Sequence, residues 1–310
     1  MIFWTKPHIN LFNFFNNIST EEIEDYISND LFQEKYPVVF SSARLGIKCI
    51  LISLEISRGE NVLIPKYSSH CLWNSIGSIA NPTCVESENI SAIVSYKKEY
   101  THYKSKLNQI NGEIIYDAVD TFFLMNSKIL EDDENYKVIS LPKIIGSISG
   151  GVVFCKTQEQ KNTLLNIRKN IQKGYLAPFL RAIAFLIPKL YKYWSYLEPS
   201  GGRLVWFFRS NIYQSLKRYI TYQEARLLIM KNLDLANEKS LDGYLSILIE
   251  DENIIKKYDK LLSCLIRRNI FDPNTNEYKK CWLYPIHHQS DQDNYLKIKT
   301  LLNEKGVRYI

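Results

Sequence analysis

The sequence predicts an α/β protein in which a mostly parallel sheet is flanked by helices and followed by a small C-terminal α/β lobe. Two observations carry that expectation. Short apolar runs rich in Val and Ile alternate with apolar stretches of helical length through the first half of the chain, as strands joined by helical crossovers do. Polar, small and aromatic residues also follow the strand runs, as at Ser41-Ser42-Ala43-Arg44 and Tyr67-Ser68-Ser69-His70. In an open α/β sheet the ligand sits at that carboxyl edge.

With 310 residues the chain can bury a large core and has room for one large domain and a smaller one. Apolar content of 45% and charged content of 23% are those of a globular protein. The formal net charge of +6 comes from interleaved cations and anions, so the overall field argues only weakly for nucleic acid, and a small anionic substrate fits equally well. The six cysteines show no CxxC pair or regular spacing, which reads as reduced core thiols and a cytoplasmic setting. The N-terminus lacks the pattern of a signal peptide. Residues Tyr175 to Trp194 are interrupted by Pro178, Arg181, Pro188, Lys189 and Lys192, so no transmembrane segment is expected.

In chain order, a first helix is expected near Thr20 to Ser28, capped by Ser19 or Thr20 with Glu22 in its first turn. Pro37 to Phe40 reads as a strand, the Ser41 to Arg44 stretch as a tight turn, and Leu45 to Ile56 as an apolar helix. Small residues at a helix start let backbone amides approach an anion, helped by the helix dipole. That turn therefore cradles a phosphate or is an ordinary N-cap formed by Ser41 or Ser42. A second strand, Val62 to Pro65, leads into the loop carrying Tyr67 and His70. These two could stack on a flat heterocycle, or His70 could be a structural histidine.

Ser91 to Tyr96 reads as a third strand and Glu113 to Asp117 as a fourth. A carboxylate such as Asp117 at a buried strand end needs a cation or hydrogen-bond donors. A protonated ring nitrogen would serve, and so would the turn that Asp117 could cap. Lys143 is the only charged residue between Val138 and Cys155, and it follows a further strand on a Gly- and Ser-containing loop. Such isolation suits a partly desolvated amine able to form a Schiff base, or a lone lysine with its head in water.

Beyond Cys155 the pattern changes. Gln158 to Gly174 reads as a helix, Tyr175 to Glu198 is aromatic, basic and interrupted by proline, and Leu204 to Met230 is helical. The basic and aromatic stripe is expected to pack on a partner subunit with its long stems over apolar surface; peripheral contact with a membrane surface is the alternative. Farther on, Glu250 to Arg268 and Gln289 to Gly306 read as helices and Lys279 to Pro285 as a strand.

The order of these features resembles fold type I enzymes that use pyridoxal 5′-phosphate (PLP), and more closely the DegT/DnrJ sugar aminotransferases. Phe40-Ser41-Ser42-Ala43-Arg44-Leu45-Gly46-Ile47 is similar to the family's F-S-S-G-R-S-A-L turn. Gly59-Glu60-Asn61-Val62-Leu63-Ile64-Pro65 resembles its G-D-x-V-L-x-P strand, and Ile115-Tyr116-Asp117-Ala118-Val119 its I-x-D-A-A stretch. Ser140-Leu141-Pro142-Lys143, followed by Gly150-Gly151-Val152-Val153, is similar to its S-F-x-K segment and Gly-Gly strand.

The resemblance implies that Lys143 is the Schiff-base lysine and proton carrier and that Asp117 pairs with the pyridine nitrogen. It further implies that Ser42, Ala43 and Arg44 hold the cofactor phosphate, that Ser140 adds a hydroxyl to it, and that His70 and Asp120 lie by the ring. Ala43 stands where the family's turn has Gly, and Asp120 where His or Gln is common. The implied activity is transfer of an amino group from glutamate to a keto group of a nucleotide-linked sugar in surface polysaccharide or related biosynthesis, by a homodimer. A non-catalytic PLP-fold protein of a polysaccharide pathway is the alternative. Residues 1–232 are expected to form the large PLP-binding domain, with the helical aromatic and basic region at about 158–230, and residues 233–310 the small lobe.

Overall fold

The computed structural model describes residues 16–32, 35–65, 68–85, 89–96, 112–119, 135–171, 204–232, 244–248, 257, 266–272, 277–285 and 291–306. The first helix, α1 (Thr20–Tyr26), opens with a complete capping box: the Glu22 amide donates to Ser19 Oγ at 3.0 Å and the Ser19 amide to Glu22 Oε2 at 2.7 Å. Two of the orphan amides of the helix start are satisfied reciprocally. The chain continues through a π-helical turn, Ile27–Leu31, and Ile23, Ile27 and Leu31 form a buried stripe at four-residue spacing.

A seven-stranded sheet follows. Its strands are β1 (Tyr36–Phe40), β2 (Asn61–Leu63), β3 (Asn81–Thr83), β4 (Ile90–Tyr96), β5 (Glu113–Asp117), β6 (Tyr136–Ser140) and β7 (Gly151–Cys155). They lie in the order β1-β7-β6-β5-β4-β2-β3. β7 runs antiparallel to both neighbours while β6, β5, β4, β2 and β3 pair in parallel. The mostly parallel α/β class expected from the sequence is the observed one. β3 was not foreseen, which makes Ser91 to Tyr96 part of the fourth strand and Glu113 to Asp117 the fifth.

The crossovers are α2 (Ala43–Ser53) between β1 and β2, and α3 (His70–Gly77) between β2 and β3. α2 begins two residues before the expected Leu45, because Ser42 caps it. A one-turn helix, α4 (Leu141–Ile144), follows β6, and α5 (Gln158–Ile171) follows β7. The region read as one helix from Leu204 to Met230 is two, α6 (Trp206–Lys217) and α7 (Tyr219–Asn232), broken at Arg218.

Strand residues alternate between two cores, as the period of two requires. Val38, Phe40, Ile115, Val138 and Val153 pack with Leu45, Ile47 and Ile50 of α2 and Leu164 of α5. On the other face, Val39, Ile139, Val152 and Phe154 pack with α1 and with Phe208, Ile212 and Leu216 of α6. Cys49 and Cys155 belong to the first core, where burial pushes both thiols up to about 12 and leaves them as packing groups.

One ion pair is buried under β1. Arg168 Nη1 of α5 donates to Glu24 Oε1 at 2.6 Å and to the Val39 carbonyl at 2.7 Å, and the Val39 amide donates to the same Glu24 oxygen at 2.8 Å. Burial pushes the Glu24 carboxyl up, against the pull of Arg168 and the Val39 amide. The arrangement clamps α1, β1 and α5 together.

The C-terminal region contains a three-stranded antiparallel sheet in the order β8 (Tyr244–Leu248), β10 (Glu277–Pro285), β9 (Ile266–Asp272), and the helix α8 (Asp291–Glu304). The helix expected from Glu250 to Arg268 is corrected at its end, since Ile266 to Arg268 pair with β10 as a strand whose ladder fixes them extended. Among the described residues, no helix is long and apolar enough to cross a membrane.

Candidate functional site

β1 and β6 both run antiparallel to β7, and β5 runs parallel to β6, so Phe40, Asp117 and Ser140 end their strands on one edge of the sheet. The register aligns Phe40 with Gly151 and Gly151 with Ser140. Asp117 shares the strand face of Ile115, and Ser140 that of Val138. Both of these apolar residues pack in the core beneath α2. The start of α2, Asp117 and Ser140 therefore meet at the same edge on the same face, where doubly wound sheets bind ligands.

The turn at the start of α2 is built by close packing. Ser42 caps the helix, its Oγ accepting the Leu45 amide at 3.2 Å. Ala43 is buried and Arg44 half-buried, with the Arg44 carbonyl accepting Ser75 Oγ of α3 at 3.1 Å. A Cβ at Gly151 would lie 2.2 Å from the Ala43 nitrogen, so only glycine lets β7 begin against this turn. Ser41 is 8% exposed, and its hydroxyl has no hydrogen-bond partner among the described residues.

Asp117 is buried, with Oδ1 accepting the Val119 amide at 3.1 Å. The turn-capping role considered from the sequence is thus occupied by one carboxylate oxygen. Lys143 is half-buried on α4, where Pro142 in the first turn presets the helical backbone angle. The loop expected around Lys143 is a helical turn at that point, and irregular chain follows it.

His70 begins α3 and is exposed, with Nδ1 within 3.2 Å of Asn74 Nδ2. The structure brings Ser42, Ala43, Arg44, Asp117, Ser140 and Lys143 to one sheet edge, with His70 at the neighbouring helix start. Asp120 and Tyr67 lie outside the described residues.

Sequence reading missed the segment between Lys143 and β7 as a structural unit. Ser149 Oγ and the Gly150 amide both donate to the Ser41 carbonyl, at 2.7 and 3.0 Å, and the Ile148 amide donates to Asn211 Oδ1 of α6 at 2.8 Å. Phe208 to Leu216 also carries Arg209, Ser210, Gln214 and Ser215, so the low helix propensity of one more polar residue there did not single out Asn211.

A family model described as "Putative PLP-dependent aminotransferase" matches residues 23–303. No curated protein matches the sequence. Among solved structures, the PLP form of a "putative sugar aminotransferase" from Streptococcus pneumoniae superposes with a TM-score of 0.66 at 15% identity, over 99% of this chain and 100% of that one. PseC from Helicobacter pylori, named as an aminotransferase involved in the biosynthesis of pseudoaminic acid, gives a TM-score of 0.58 at 14% identity, over 96% and 99%. A DegT DnrJ EryC1 StrS aminotransferase from Brucella abortus gives 0.57 at 12% identity, over 90% and 87%. The three likenesses show a shared fold.

Proposed function

The chain belongs to the PLP-dependent aminotransferase family, and on that premise we propose that it moves an amino group from glutamate to a keto group of a nucleotide-linked sugar. The sugar acceptor is supported by the fold shared with one solved protein named as a "putative sugar aminotransferase" and another named as an aminotransferase of pseudoaminic acid biosynthesis. The observation that carries the site is the convergence of the Ser41 to Arg44 turn, Asp117 and Ser140 at one edge of the sheet, with Lys143 on the helical turn that follows Ser140.

These residues suit PLP. The Ser41 hydroxyl, without a partner among the described residues, and the first turn of α2 would offer hydrogen bonds and a positive dipole end to a phosphate, and Ser42, Ala43, Arg44 and Ser140 would surround it. Asp117 would keep a ring nitrogen protonated, because a buried carboxylate favours a cationic partner. When bound, PLP supplies an electron sink that makes the proton on the amine-bearing carbon removable.

Lys143 would hold the cofactor through Nζ and carry the proton from the carbon of the donor and back to that of the acceptor. His70, at the exposed start of α3, would stack on the ring. Asp120 would lie near the ring oxygen.

The proposed assembly is a homodimer. α6 and α7 expose Trp206, Ile220, Leu227 and Leu228, and a second subunit would cover such a surface. Sedimentation of the purified protein at twice the chain mass is the expected result.

The activity test is formation of 2-oxoglutarate from glutamate by the PLP-loaded protein, paired with amination of nucleotide-linked keto-sugars. Amine transfer to at least one of them is expected. Tight PLP binding with no transfer from glutamate would overturn the transferase reading and leave the non-catalytic one.

A further inference from the structure

We infer that Asn211 of α6, acting with Ser149, is a positioning residue for the phosphate turn; the inference rests on the PLP reading above. Asn211 is 5% exposed and lies 63 residues along the chain from the amide it holds. Its side-chain oxygen accepts the Ile148 amide at 2.8 Å, and the next two residues both reach Ser41: Ser149 Oγ donates to its carbonyl at 2.7 Å and the Gly150 amide at 3.0 Å. Ser147 Oγ donates to the Ser149 carbonyl at 2.7 Å and closes the span on itself.

α6 touches this span a second time. Gly150 has φ +113°, and a Cβ there would come within 2.9 Å of Ile212 Cδ1, the side chain next to Asn211. Segment 147–150 is thus held from one side by α6 and presents two donors to one carbonyl on the other.

That carbonyl matters because the peptide unit is planar. Fixing the Ser41 oxygen fixes the plane containing the Ser42 amide, and Ser42 is the N-cap that aims the first amides of α2. The Gly150 carbonyl in turn accepts the Leu141 amide at 3.2 Å, at the start of the helix that carries Lys143. An apolar side chain at 211 would leave the buried Ile148 amide without its acceptor. Asn211 and Ser149 therefore set the turn from a distance, without a place in the reacting centre.

The test compares equilibrium affinities for PLP and for pyridoxal, which lacks the phosphate, in the full-length wild type, Asn211→Ala and Ser149→Ala. Each substitution is expected to weaken PLP binding about three- to ten-fold, the change that one lost hydrogen bond of ordinary net strength gives, and to leave pyridoxal affinity unchanged. Loss of both affinities together, or of neither, would overturn the inference and reduce Asn211 to a packing residue. Should Asn211→Ala not fold, Ser149→Ala decides by the same criterion. Absence of PLP binding by the wild type would instead sink the cofactor reading and take this inference with it.

Discussion

Two helix starts face the same edge of the sheet, and they are built differently. At α2, Ser42 caps the helix, Gly151 presses against Ala43, and the Ser41 carbonyl takes two donors from residues more than 100 positions away. At α3, the N-cap Ser69 makes no capping bond, Ser69 Oγ lies 3.0 Å from Cys71 Sγ, and exposed His70 bonds Asn74 one turn on. Long-range contacts fix the first and local ones hold the second. The proposed phosphate end is therefore preorganised, while the proposed ring-facing side chain is left to be ordered by what binds.

The most severe way to break this comparison is to remove Lys143, the proposed reacting group, which follows β6 at the same edge. Lys143→Ala is expected to lower turnover by roughly 10²- to 10⁴-fold, the range for a positioned proton carrier, with little change in melting temperature because Lys143 is half-buried. Steady-state rates and a thermal melt check it; a variant with wild-type turnover would remove Lys143 from the chemistry.

The next effect is on the frame. Glu24→Ala leaves Arg168, whose side chain is 11% exposed, as an uncompensated buried charge, and should cost about 3–5 kcal/mol of stability. Glu24→Leu combined with Arg168→Leu should recover much of that loss, because no stranded charge remains. Chemical denaturation of the single and double variants measures both, and equal losses would contradict the clamp.

A smaller effect comes at the turn itself. Gly151→Ala forces a methyl group onto the Ala43 backbone, which has no rotamer to yield, and should cost about 1–3 kcal/mol together with PLP affinity. His70→Ala, on the open side, should weaken PLP binding only about two- to ten-fold, as for loss of one stacked aromatic pair, with an unchanged melt. The contrast between these two variants sharpens the comparison: a common loss of fold and cofactor at position 151, and loss of cofactor alone at 70.

Legibility in the sequence followed the same division between local and long-range structure. The capping box at Ser19 and Glu22, the strands at Pro37 to Phe40 and Glu113 to Asp117, and the helix from Gln158 were readable because caps and apolar periods are local signals. β3 was not, since Asn81-Pro82-Thr83 is three residues with a proline and qualifies only as an edge strand. Ile266 to Asp272 mixes charges with apolar residues in no clean alternation, so its pairing with β10 had to come from the fold.

At the site, residue types at strand ends marked Ser42, Asp117 and Lys143. Nothing local marked Asn211, whose partner is 63 positions away. The sequence also could not say which of two adjacent serines is engaged. The structure separates them: Ser42 spends its hydroxyl on Leu45, while the Ser41 hydroxyl has no partner among the described residues.

The central claim is that Lys143 meets PLP at this edge, and one measurement tests it most directly. The protein is loaded with PLP, reduced with borohydride and digested, and the pyridoxyl group is located by mass spectrometry. The account predicts a single modified peptide carrying the group on Lys143, lost in Lys143→Ala. Modification of another lysine, such as the buried Lys137 of β6, or no stoichiometric modification at all, would contradict it.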